Sequence, residues 1–150
     1  MFFELLTEDE QNQIFNEMGS SNLDQFKSRL HVLYFHMLKY QYQKEIQSSS
    51  WIKTIIEQSN QINYLIRTNK SMKSKITDDL IDDVYTKAVR TAISSSYNYT
   101  SRYGEPKFPS SKPEEYSLDN VSNINYIRTF LVKYQYTDEV KKYIERMNVR

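Results

Sequence analysis

Residues 23–43 read LDQFKSRLHVLYFHMLKYQYQ, and the fold follows from this stretch. Leu23, Phe26, Leu30, Leu33, Met37 and Tyr40 recur at alternating steps of three and four, which predicts a helix with an apolar stripe about five turns long. Val32, Tyr34, Phe35 and Leu38 widen the stripe well past a coiled-coil seam. Such a helix needs apolar neighbours on more than one side and belongs in the middle of a bundle. Lys27, Lys39 and Lys44 are expected to keep their charged ends in water while their stems cover apolar surface. The stretch contains no reacting group that the chain must have, so it decides the fold and leaves the function open.

A chain of 150 residues fits one domain and can bury roughly two thirds of its unfolded surface. Two glycines and three prolines leave little material for hairpins or phosphate-cradling loops, so helices are expected throughout. The formal net charge of +1 hides a segregation. Residues 1–22 hold five acids and no Lys or Arg, whereas residues 23–75 hold nine basic residues against three acids. With no cysteine there is no disulfide, no thiolate nucleophile and no Cys-based metal site. No apolar run approaches the ~20 residues that span a bilayer. The acidic start MFFELLTEDE lacks the basic region of a signal peptide, so a cytoplasmic location is expected.

Along the chain, Thr7-Glu8-Asp9-Glu10 forms a capping box before Ile14, Phe15 and Met18, and Gly19 stops this first helix. Ser20, Ser21 and Asn22 offer caps for the central helix, which is expected to run to about Glu45. Ser48-Ser49-Ser50 turn the chain, and Ile52, Ile55, Ile56, Ile62, Leu65 and Ile66 predict an antiparallel partner helix. Met72, Ile76, Leu80, Val84, Ala88 and Ala92 recur every four residues and predict a fourth helix. Between Ser94 and Asn120 three prolines and a run of serines and tyrosines predict a long irregular segment, with Phe108 and Tyr116 available to pack it. Ile124, Ile127, Phe130, Leu131 and Tyr134, then Val140, Tyr143, Ile144 and Met147 after a Thr137 cap, predict two short terminal helices. Their apolar surface must be covered, and packing on the chain's own domain is expected. The class is all-α: a small bundle on a long antiparallel helical hairpin, with an irregular Pro/Tyr-rich segment and two short C-terminal helices.

Three groups of residues could carry chemistry. Asp78-Asp79-Leu80-Ile81-Asp82-Asp83 contains D-D-x-x-D, and helical spacing stacks Asp78 over Asp82 and Asp79 over Asp83. Four acids also suit the positive end of a helix dipole, and that solvated reading is preferred. His31 and His36 point about 140° apart on a straight helix, so a shared ion site is not expected, and each reads as a hydrogen-bonded core or boundary histidine. Tyr97, Tyr99, Arg102, Tyr103 and Lys107 place rings on which bases could stack beside cations that pair with phosphates. No catalytic residue, metal or cofactor is identified.

Ser28-Arg29-Leu30, then His36-Met37-Leu38-Lys39-Tyr40-Gln41-Tyr42-Gln43, then Ser48-Ser49-Ser50-Trp51 and Ile55-Ile56-Glu57-Gln58 resemble the signature of an uncharacterised bacterial family. It is catalogued as domain of unknown function twenty-nine, with an S-R-L start, an H-L-L-K-W-Q-Y-Q run and an S-x-S-W turn. The likeness continues through Lys75 to Ala92, to Phe108-Pro109 and to Tyr116-Ser117-Leu118. Tyr40 stands in place of the usual tryptophan, and Lys112 stands near an expected cysteine. Residues 1–121 are family-like and 122–150 read as a C-terminal helical addition, within one helical domain spanning 1–150. The resemblance implies a small helical bundle and no agreed enzyme activity. It also suggests that His36, Lys39, Gln41, Tyr42 and Trp51 form a structural unit closing the hairpin, or a polar recognition cluster.

The expected function is therefore a non-catalytic protein-interaction or regulatory role, with another protein as the partner. The alternative is a nucleic-acid-binding or nucleic-acid-mimicking regulator, such as a small inhibitor or an antitoxin-like protein.

Overall fold

Residues 21–148 are described by the computed structural model, and the first of them is a helix cap. The Ser21 hydroxyl accepts a 3.1 Å hydrogen bond from the Asp24 amide, satisfying one of the donors that a helix start leaves open. Helix α1, Asn22–Tyr42, follows. From Val32 to Tyr40 every one of its residues is buried, as expected of a helix apolar on nearly all sides. It ends earlier than the periodicity predicts, because the chain tightens into a 3-10 turn at Lys44–Ile46. Helix α2, Ser49–Thr68, packs along it. Asn22 donates to Asn69 at 2.6 Å and Arg29 to Gln58 at 3.1 Å, so the start of α1 lies beside the end of α2.

The four-residue stripe from Met72 to Ala92 does not make one helix. It divides into α3, Lys70–Lys73, and α4, Asp78–Ser94. Thr77 is the cause: its hydroxyl accepts from the Leu80 amide at 3.1 Å and starts a new helix, whose first turn holds Asp78 and Asp79 at the favourable end of the dipole. The expected irregular segment is also partly helical. Tyr97–Tyr103 forms α5, ended by Gly104 at φ +89°, where glycine alone escapes the Cβ penalty. A 3-10 turn at Glu114–Tyr116 and α6, Leu118–Val121, complete it. The helix expected after Thr7 lies outside the described residues.

Asn123 caps α7, Ile124–Lys133, accepting from the Asn125 and Tyr126 amides at 2.9 and 3.3 Å. Thr137 caps α8, Asp138–Asn148, accepting from the Val140 amide at 3.3 Å. Both pack on α2, while α4 packs on α1. Among the described residues there are eight α-helices and no strand, so the fold is all-α. A single apolar cluster runs from Phe26 in α1 to Ile144 in α8 and includes Ile127, Phe130, Leu131 and Val140.

Tyrosine fills much of that core. Tyr34, Tyr85 and Tyr116 meet pairwise at 5.6–5.9 Å between ring centroids, and Phe130 continues the array from Tyr116 at 6.0 Å. Their hydroxyls are satisfied, as burial requires. Tyr34 donates to the Tyr116 carbonyl at 2.5 Å, Tyr40 to the Leu131 carbonyl at 2.7 Å, and Tyr85 to the Pro109 carbonyl at 2.7 Å. Burial raises the pKa of all three. These bonds fix the Pro-rich segment and α7 onto α1 and α4.

Leu33 and Met37 are fully buried in this cluster. Leu33→Ala and Met37→Ala are each expected to cost about 2–5 kcal/mol, read as a lower denaturation midpoint at unchanged slope. Unchanged midpoints in both would put this face of α1 outside the core.

Candidate interaction surface

Lys39 does not keep its charged end in water. It is only 5% exposed, and its Nζ lies 4.7 Å from the Phe35 ring centroid and 4.5 Å from that of Trp51. The spacing i to i+4 on α1 sets Phe35 beneath it, and α2 brings Trp51, so two aromatic faces replace part of the ammonium's hydration. Its neighbour His36 is equally buried, with Nδ1 2.8 Å from the Val32 carbonyl one turn back. Gln41 and Tyr42 are half-buried. Gln41 accepts from the Tyr116 hydroxyl at 2.9 Å and donates to the Tyr42 hydroxyl at 3.2 Å, while Tyr42 meets Phe108 edge-on at 5.9 Å. Four of the five residues thus fall into two units: Lys39 with Trp51, which joins α1 to α2, and Gln41 with Tyr42, which holds the segment around Phe108 and Tyr116; His36 hydrogen-bonds back along its own helix.

Burial, reinforced by the Lys39 charge, pushes the pKa of His36 down to about 3. With a folded value below the ordinary 6.5, the unfolded chain takes up a proton first as pH falls. The stability associated with neutral His36 is full above about pH 6.5 and declines toward pH 3, by about 1.4 kcal/mol per pH unit at most. His31 is lowered by burial and by Lys87 and acts in the same direction. In urea melts between pH 7 and 4, His36→Leu is expected to have a shallower loss of stability than the native chain. Identical pH slopes would place His36 in solvent.

The turn between α1 and α2 carries the surface that sequence reading missed. Glu45 accepts from the Tyr99 hydroxyl at 2.6 Å, and burial, followed by this bond, raises the pKa of Tyr99 to about 12. Tyr99 packs on Tyr103 at 5.0 Å, and Arg102 lies over the Tyr103 ring at 5.4 Å. On the other side of the turn Lys44 sits 4.7 Å over the Tyr136 ring. Ile46, next in the same turn, is 41% exposed, and Tyr136 and Tyr103 are 50% and 40% exposed. The α1–α2 turn therefore presents an exposed isoleucine next in sequence to Lys44 and Glu45, which reach an exposed Tyr136 and the Tyr99–Tyr103 pair, and Tyr136 and Tyr103 each have a cation on one face. Tyr97 is 81% exposed and Lys107 is also in solvent. Of the five residues read as nucleic-acid contacts, the structure joins Tyr99, Arg102 and Tyr103 and buries Tyr99.

The rigid support of this end is Gln47. Its side-chain amide donates to the carbonyls of Tyr40 at 2.7 Å and Tyr134 at 2.8 Å, and its oxygen accepts from the Tyr136 amide at 2.9 Å. The Glu139 carboxylate completes the junction by accepting from the Ser49 amide at 2.5 Å, capping α2 from α8 and drawing its own pKa down.

The aspartates of α4 are solvated. Asp83 pairs with Lys87 at 3.1 Å, and Asp82 lies 3.9 Å from Lys112. A cavity of about 510 Å³ next to them is lined by Thr77, Asp78, Ile81, Asp82, Lys112 and Asp119, among others. His31 lies 3.0 Å from the Thr91 hydroxyl and ties α1 to α4.

Fold and surface together describe a helical bundle held by buried tyrosine hydroxyls, with an aromatic end at the α1–α2 turn. The chain belongs to the family described as domain of unknown function DUF29, which matches residues 11–127. Neither the curated proteins nor the solved structures give a match. The family match ends inside α7, six residues beyond the boundary drawn at Val121. No helix of the described residues is long and apolar enough to cross a membrane.

Proposed function

We propose that this chain is a non-catalytic module that docks on another protein through the end of the bundle formed by Ile46, Tyr103 and Tyr136. The observation that carries the reading is the exposure of three large side chains: Ile46 and Tyr136, on two turns that Gln47 ties together, and Tyr103 on α5, which the Tyr99–Glu45 bond holds to the first of those turns. Aromatic and arginine side chains supply most of the energy at protein interfaces, and a preformed surface loses little entropy on binding. The C-terminal helices serve as the support for this surface, since their apolar residues belong to the common core. A regulatory role is one that such docking could serve.

The alternative, nucleic-acid binding through Tyr97, Tyr99, Arg102, Tyr103 and Lys107, is less well supported. Tyr99 is buried, Tyr103 has one face against it, and Glu45 brings a carboxylate among them.

The test is native co-purification with mass spectrometry, run in parallel on the native chain and on Ile46→Asp, which places a charge at the centre of the surface. A stoichiometric protein recovered with the native chain and reduced at least tenfold with the variant is the expected result. A partner retained in full by the variant, or no stoichiometric partner at all, contradicts the reading.

A further inference from the structure

We infer that the opposite end of α2 is a contact site for single-stranded nucleic acid, with phosphates held by Arg67, Lys70, Lys73 and Lys75 and a base stacked on Tyr64. Helix α2 has 20 residues and is therefore about 30 Å long, so this corner is well separated from the aromatic end around Ile46. The inference goes beyond the docking role and does not depend on it.

The sequence from Gln58 to Thr77 contains these four cations and no acid. The end of α2, the short α3 and the turn into α4 gather them at one corner, and all four are exposed. Lys70, Lys73 and Lys75 make no ion pair among the described residues. The Arg67 side chain is held in place: its Nε donates to Asn63 at 2.7 Å and its guanidinium lies 6.0 Å from the Tyr64 ring. That ring is 54% exposed. The nearest acids in sequence that follow them, Asp78 and Asp79, stand in the first turn of α4, and Asp24 stands in that of α1.

This combination selects among polyanions. A lipid surface needs apolar side chains to insert, yet Leu65 and Met72 are buried and Ile66 and Ile76 are half-buried. An acidic protein would use the cations and leave the ring idle. A single strand uses both, pairing its phosphates with the cations and stacking a base on the exposed aromatic face.

The experiment is fluorescence anisotropy of a labelled 20-residue oligothymidylate with the full-length purified chain, between 50 and 200 mM salt. Four phosphate contacts predict a log–log salt slope of about −2.8, roughly a 50-fold loss of affinity across that range. The triple variant Lys70→Gln, Lys73→Gln, Lys75→Gln should lower the slope to about −0.7, while the same three positions changed to Arg should keep it. Tyr64→Ala should weaken binding about fivefold or more without changing the slope. No binding at 50 mM salt, or a slope that the triple Gln variant leaves unchanged, overturns the inference. Binding to polyglutamate as tight as to the oligonucleotide and insensitive to Tyr64→Ala overturns it in favour of an acidic protein. Binding to phosphatidylserine vesicles without binding to the oligonucleotide overturns it in favour of a membrane.

Discussion

A chain ending after Val121 is expected to lose its cooperative unfolding transition. Truncation there removes Ile127, Phe130, Leu131, Val140 and Ile144, all buried in the common core. At roughly 1.5–3 kcal/mol for each buried side chain, the loss is on the order of 10 kcal/mol, comparable with the whole stability of an ordinary domain. It also strips Phe130 from Tyr40 and Tyr116 and removes the Leu131 carbonyl to which Tyr40 donates. Thermal melts followed by circular dichroism read the effect directly. A truncated chain that melts at the native midpoint would mean that α7 and α8 contribute nothing to the core.

Gln47→Ala is expected to be the most damaging single polar substitution. The Tyr40 and Tyr134 carbonyls and the Tyr136 amide would each lose a partner. At roughly 1–3 kcal/mol for each group left unsatisfied, the three sum to about 3–9 kcal/mol, and water entry at this part-buried junction favours the lower half of that range. Gln47→Glu should not rescue it at neutral pH, because a carboxylate has no N–H for the two carbonyls and repels them. Urea denaturation of both variants checks the prediction, and a loss below ~1 kcal/mol would show that the junction is already wet.

Part of this structure could be read in residue order and part could not, and the division has a physical basis. The stripe from Leu23 to Tyr40 gives α1 because it depends only on helical period, and the caps at Ser21 and Thr137 are local in the same sense. Period alone misled at Thr77, where a cap and two following aspartates restart a helix that the apolar spacing would continue. It also missed α5, whose Tyr99 is anchored by Glu45, 54 residues earlier in the chain. Lys39 lies between two rings because α2 supplies Trp51 from outside the helix, which no reading of α1 could anticipate. Gln47 stands in a Gln-Ser-Ser-Ser run that reads as an ordinary polar turn. Its importance comes largely from the Tyr134 carbonyl and the Tyr136 and Thr137 amides, 87 to 90 residues away. The aromatic end was illegible for the same reason, since only tertiary contacts, the Tyr99–Glu45 bond and the Lys44–Tyr136 contact among them, tie Tyr103 and Tyr136 to the turn of Ile46, whereas the basic excess of residues 23–75 was visible but not where it gathers.

Radical footprinting of tyrosine side chains, on the chain alone and with its co-purified protein partner, tests the docking surface most directly. The exposed rings are its natural reporters. Tyr103 and Tyr136 are expected to lose reactivity severalfold in the complex while Tyr64, at the far end of α2, keeps its own. Unchanged reactivity at Tyr103 and Tyr136 in a stoichiometric complex would contradict it.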